Sequence, residues 1–83
     1  MKREDIISII NDFLVDELEI DEEKIQDNAN LKNDLGIDSL DFVDIVVIVE
    51  HKFGIKISPE EMTNVPTLKS FYDYIERKMG ESQ

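Results

Sequence analysis

Cysteine is absent from the 83-residue chain, which excludes disulfide frameworks, thiolate metal sites and cysteine nucleophiles. There is one histidine, His51, and there are only three glycines, too scattered to form a loop that cradles phosphate. No apolar run approaches the roughly 20 residues that cross a bilayer. The opening Met1-Lys2-Arg3-Glu4-Asp5 lacks the apolar stretch of a secretory signal, so a cytoplasmic chain without membrane insertion is expected. Basic residues are also scarce: 9 Lys and Arg stand against 20 Asp and Glu, for a net charge of −11. Such a field repels nucleic acid and anionic membranes and draws the chain toward basic surfaces. Solubility alone is a second use for it.

What is present is enough for one small core. Apolar residues make up 41% of the chain, unlike a disordered acidic tail, and the length suits one domain over 1–83 with its core at about 3–79. Ile6, Ile9, Ile10, Phe13, Leu14 and Leu18 recur at helical spacing, which predicts an amphipathic helix over 3–18. The next stretch, to Asp38, is polar but carries Ile20, Ile25, Ala29, Leu31, Leu35 and Ile37. A connection this long is ordered only if such side chains anchor it.

The run Phe42-Val43-Asp44-Ile45-Val46-Val47-Ile48-Val49 suits a buried strand by propensity. Its flanks favour a helix. Asp38 with Asp41 three residues on resembles a capping box, and Gly54 stands where a C-cap would close the helix. Ser58-Pro59-Glu60-Glu61 starts a third, short helix that Pro66 ends. Thr67 caps a last one bearing Leu68, Phe71, Tyr72, Ile75 and Met79 on one face, with Gly80 and a polar tail containing Ser82 after it. The expected architecture is an all-α four-helix bundle, three main helices and one short, with a long first loop.

No catalytic constellation is legible, and no metal site. If Ser39 and His51 share a helix they lie about 18 Å apart, at about 1.5 Å per residue, and cannot form a hydrolase pair. Placing Gly36 at the sixth position of a calcium loop puts Leu31 and Leu35 at ligand positions. The chain is therefore read as a non-enzyme.

The segment Asp34-Leu35-Gly36-Ile37-Asp38-Ser39-Leu40-Asp41 resembles the attachment motif of the acyl carrier protein family, and the likeness extends from about Ile6 to Ile75. The resemblance implies that Ser39 is esterified with 4′-phosphopantetheine from coenzyme A, and that acyl intermediates travel as thioesters on that arm to enzymes of fatty acid or related lipid and polyketide biosynthesis. It likens Asp38 to the aspartate that helps the phosphopantetheinyl transferase (holo-acyl-carrier-protein synthase) position magnesium. It makes Leu40, Asp41, Val43, Asp44, Val47 and Glu50 a recognition face for acyl-transferring, condensing and reducing enzymes with basic docking patches. It also makes Phe42, Ile45, Val46, Ile48, Ile57, Met62, Leu68, Phe71 and Tyr72 candidates to line an acyl shelter. A monomer is expected.

The residues themselves leave alternatives. Val43 and Val47 also suit a core, and acids on a helix also suit a solvated face. Glu50-His51-Lys52 departs from the further acids common in carriers of bulk fatty acid synthesis, which leaves a dedicated partner set open, while His51 also reads as an ordinary solvated surface residue. Gly36-Ile37-Asp38-Ser39 disfavours a peptidyl carrier and leaves a D-alanyl or aminoacyl carrier open. From a different class, an unmodified acidic interaction module would use the charge alone. At Ser39 itself, the helix N-terminus favours a phosphodiester by about 0.3–1 kcal/mol, while an acid about 7 Å away opposes it by about 0.6 kcal/mol. These near-equal terms predict an arm free to swing.

Overall fold

The computed structural model describes residues 2–81; Met1, Ser82 and Gln83 lie outside them. Four helices follow in order: α1 (Arg3–Asp16), α2 (Ser39–Phe53), α3 (Pro59–Met62) and α4 (Leu68–Glu81), with a single 3₁₀ turn at Glu22–Lys24. No strand forms among the described residues, so the β-branched run of α2 takes the helical alternative. The Cα radius of gyration, 11.6 Å, is what a compact chain of this length has.

Ends of helices are set by short-range chemistry. The Asp38 carboxylate accepts from the backbone N–H of Leu40 and of Asp41, and Asp41 returns a bond to the Asp38 N–H, closing the capping box. Gly54 ends α2 at φ 70°, a left-handed conformation that a side chain rarely adopts. Ser58 caps α3, with Pro59 at its first position, and the Thr67 hydroxyl accepts from Ser70 N–H to start α4. Two boundaries differ from the sequence expectation. α1 stops at Asp16 rather than at Leu18, because Glu19 turns the chain back at φ 55° and delivers Ile20 to the core. At the other end, Gly80 does not close α4 but is carried within it.

α1 lies against α4, and α2 against α3. Ile6, Ile10, Phe13 and Leu14 from α1 meet Ile45 and Val49 from α2 and Leu68, Phe71 and Ile75 from α4 in one core, with Met62 of α3 capping its side. The anchors expected along the loop are there: Ile20, Ala29, Leu31, Leu35 and Ile37 are buried and Ile25 half-buried. Backbone bonds also sew this loop to the head of α4, with Leu31 N–H to Pro66, Leu68 N–H to Ala29 and Lys69 N–H to Asp27. An isolated bridge pairs Asn30 with Thr67. At the α1–α4 seam, Arg3 pairs with Asp73 at 2.8 Å, and the Tyr72 hydroxyl donates to the Asn11 side chain. Burial pushes the Tyr72 phenol above its usual range. No helix among the described residues is long and apolar enough to cross a membrane.

Candidate functional site

The start of α2 is delivered by a tight turn. The Asn30 side-chain oxygen accepts from the N–H of Lys32 and of Asn33, while Asp34 accepts from the Asn30 N–H at 2.7 Å. Gly36 then takes φ 71°, and Ile37 drops into the core. With Ile37 fixed below, Asp38 and Ser39 emerge at the surface. Ser39 is the first residue of α2 and is exposed. Its hydroxyl has no hydrogen-bond partner among the described residues.

Other hydroxyl residues differ. Ser58 and Thr67 cap helices, Ser70 shares a hydrogen bond with Thr67, and the Thr63 hydroxyl donates to the Glu60 carbonyl. Ser8 is exposed, but in the middle of α1. His51 lies on α2 with Ser39, three turns further on and exposed, so the two form no catalytic pair. Among the described residues no cluster of His, Cys, Asp or Glu could hold a metal ion.

From Ser39 a stripe runs down the outer face of α2. Leu40, Val43 and Val47 are 78%, 48% and 61% exposed, and they are the large apolar side chains left in solvent among the described residues. Their exposure settles the alternative of a core role for Val43 and Val47 against it. Asp44 and Glu50 are exposed beside them, and Asp41 is half-buried by its capping bond. Leu40, Val43, Asp44 and Val47 therefore share one side of α2, with Asp41 and Glu50 at its two opposite edges. Beyond Glu50 the sign changes, with His51, Lys52 and Lys56 all exposed.

Asp38 behaves differently from the simple electrostatic expectation. Its carboxylate already holds the Leu40 and Asp41 N–H groups, so those donors are not free for an anion on Ser39. Of the candidate shelter residues, Phe42, Ile45, Met62, Leu68, Phe71 and Tyr72 are buried, while Val46, Ile48 and Ile57 are half-buried against the core.

Two features escaped the sequence reading. Tyr74, buried, donates its hydroxyl to Glu61 of α3, and Lys78 pairs with the same carboxylate at 3.5 Å. The Tyr74 hydrogen bond first, and then Lys78, hold the Glu61 carboxyl below the usual range. Spacing held a signal for Tyr74, which follows Phe71 by three and precedes Lys78 by four. The second is Lys32, whose ammonium stands 5.9 Å over the Phe42 ring. It is the one Lys or Arg between Lys24 and Lys52.

Comparison with known proteins bears on the chain as a whole. Residues 8–75 match the family described as "Phosphopantetheine attachment site". The chain is 37% identical over 78 residues to an acyl carrier protein of Thermotoga maritima, covering 94% of this chain and 96% of that one. It is 38% identical to the acyl carrier protein of Coprothermobacter proteolyticus, with 95% and 96% covered. With that of Lactobacillus acidophilus it shares 34% identity, over 96% of this chain and all of the relative.

Proposed function

The chain belongs to the acyl carrier proteins, a family of non-catalytic carriers with covalently attached 4′-phosphopantetheine, and on that premise we propose that Ser39 is the residue that carries the arm. The observation that supports this most is the pairing of an exposed, unbonded hydroxyl with the exposed stripe of Leu40, Val43 and Val47 on the same helix. The residues fit the group. A primary hydroxyl at the surface can be reached by a transferase, and nothing among the described residues ties it down. During loading, the Ser39 oxygen bonds to the phosphorus that carries pantetheine in coenzyme A, the bond to 3′,5′-adenosine bisphosphate breaks, and the hydroxyl proton leaves. When attached, the arm supplies a terminal thiol on which an acyl group is held as a thioester.

The chain's own residues then do the binding and positioning. Leu40, Val43 and Val47 bury against partner enzymes, while Asp41, Asp44 and Glu50 meet basic docking patches. Asp38 serves the transferase's magnesium while capping α2. Tethering lets one bound intermediate meet successive acyl-transferring, condensing and reducing enzymes at high effective concentration. The pathway is fatty acid or a related lipid or polyketide synthesis, and the carrier acts as a monomer. The exposed basic end at His51, Lys52 and Lys56 favours a dedicated partner set over partners tuned to a wholly acidic face.

The test is intact mass before and after incubation with coenzyme A, Mg²⁺ and a broad-specificity phosphopantetheinyl transferase, followed by tryptic mapping. Cleavage after Lys32 and Lys52 gives a peptide in which Ser39 is the only hydroxyl-bearing side chain. A gain of one phosphopantetheine on that peptide, absent in Ser39→Ala, is expected. A folded protein that starts at its unmodified mass and gains nothing would sink the proposal and leave an acidic interaction module.

A further inference from the structure

The charges of α2 have no mates on their own helix. None of its acids, Asp41, Asp44 and Glu50, stands three or four residues from its bases, His51 and Lys52. A surface helix that uses charge for solubility alone sets opposite signs at those spacings. Here a chain with 20 acidic residues leaves His51 and Lys52 exposed, together with Lys56 just past the C-cap Gly54. None of the three has an ion-pair partner among the described residues. Leu40, Asp44, Val47 and His51 follow one another at i, i+4, i+7 and i+11, so His51 extends the exposed stripe in line. Along that line the order is apolar, acidic, apolar, basic. At about 1.5 Å per residue, His51 lies about 10 Å beyond Asp44 and about 18 Å beyond Ser39.

We propose that His51, with Lys52 next to it, is the specificity-determining end of the docking face, and that the partner enzyme presents a carboxylate there. The inference rests on Ser39 carrying the arm and on α2 being the helix that partners read. An enzyme aligned on Ser39 meets α2 in a fixed register. It needs a basic group opposite Asp44, an apolar recess for Val47, and an Asp or Glu opposite His51, two turns further from its active-site mouth. That carboxylate accepts from an imidazole N–H whether the ring is neutral or protonated, and Lys52 adds a full positive charge beside it. Against an enzyme whose patch is basic throughout, the same end brings like charges together, which lowers affinity for the wrong partner. The carrier thus selects by attraction at Asp44 and by repulsion at His51 and Lys52. Basic side chains in the last turn also suit the helix dipole, but that role acts on the melting temperature and leaves KM alone.

The probe is an acyltransferase of bulk fatty acid synthesis with a wholly basic docking patch, assayed on the phosphopantetheine-loaded carrier at low and at high NaCl. A second form of that enzyme has the base facing the far end of α2 changed to Glu. The carriers are wild type, His51→Glu, Lys52→Glu and, as a control for net charge, Lys69→Glu at an exposed position of α4. With the basic enzyme, KM is expected to fall about three-fold for His51→Glu and for Lys52→Glu, with Lys69→Glu like wild type. With the reversed enzyme the order inverts, and wild type has a lower KM than either α2 variant. High salt should shrink both differences by screening. Unchanged KM in the α2 variants, an equal shift in Lys69→Glu, or no inversion with the reversed enzyme would overturn the inference while leaving the attachment at Ser39 standing. Intact mass is read first on every carrier, and a wild type that takes up no phosphopantetheine would overturn both.

Discussion

On the inner face of α2, Phe42, Ile45, Val49 and Phe53 are buried, whereas on its outer face Leu40, Val43 and Val47 stand in water. Both faces carry β-branched residues, Ile45 and Val49 inside and Val43 and Val47 outside, so that residue type does not separate them; surroundings do. The inner set touches α1, α4 and Met62 of α3 in a close-packed core. The outer set stands outside that cluster, and its valines are weaker helix formers than Lys, Glu or Gln would be at the same positions. A helix optimised for stability alone would not keep them. The comparison teaches that α2 is held by one face and offers the other, with Ser39 at its head.

The strongest way to break that comparison is to attack the inner face. Ile45→Ala is expected to cost about 2–4 kcal/mol in urea unfolding, since its side chain is fully buried and leaves a cavity. A loss below about 1 kcal/mol would mean that the core collapses around the gap. Next come the ends of the helix. Asp38→Ala should cost about 1 kcal/mol through the lost cap, and Gly54→Ala about 1 kcal/mol through its left-handed φ. Asp38→Asn sharpens the point: it keeps a capping oxygen, so the melting temperature should hold while loading by the transferase slows. On the outer face, Val47→Ala is expected to stay within about 0.5 kcal/mol of wild type.

The smallest effect is expected at the α3–α4 contact. The Glu61 carboxyl is held below its usual range by the Tyr74 hydroxyl and Lys78, so its contribution is present above the ordinary carboxylate pKa. It is lost as pH falls through the lowered value. Tyr74→Phe should flatten the acid limb of the stability–pH curve slightly, and an unchanged limb would show that the contact carries no linkage.

Local chemistry made much of this legible. Asp38 with Asp41, Ser58 with Pro59, and Gly54 mark helix boundaries in the sequence because capping acts over three or four residues. The scattered Leu31, Leu35 and Ile37 likewise announced an ordered loop. What stayed hidden is long-range or conformational. The Asn30–Thr67 bridge pairs backbone groups 37 positions apart, and backbone pairing leaves no mark in composition. Nothing about Glu19 foretold its left-handed turn, so α1 ends early. At the site, the exposed stripe was legible from the family resemblance, but periodicity alone left Val43 and Val47 equally at home in a core. Lys32 drew no attention because its neighbour Phe42 is ten residues away in the chain.

The most direct test of two faces with two uses is Val43→Gln combined with Val47→Gln, measured for melting temperature and for transferase KM on the same preparation. The account predicts a melting temperature within about 4 °C of wild type and a KM raised about ten-fold, the loss of about 1.4 kcal/mol of docking energy. A lowered melting temperature with KM unchanged would contradict it, placing the valines in the fold's own packing and leaving the recognition face elsewhere.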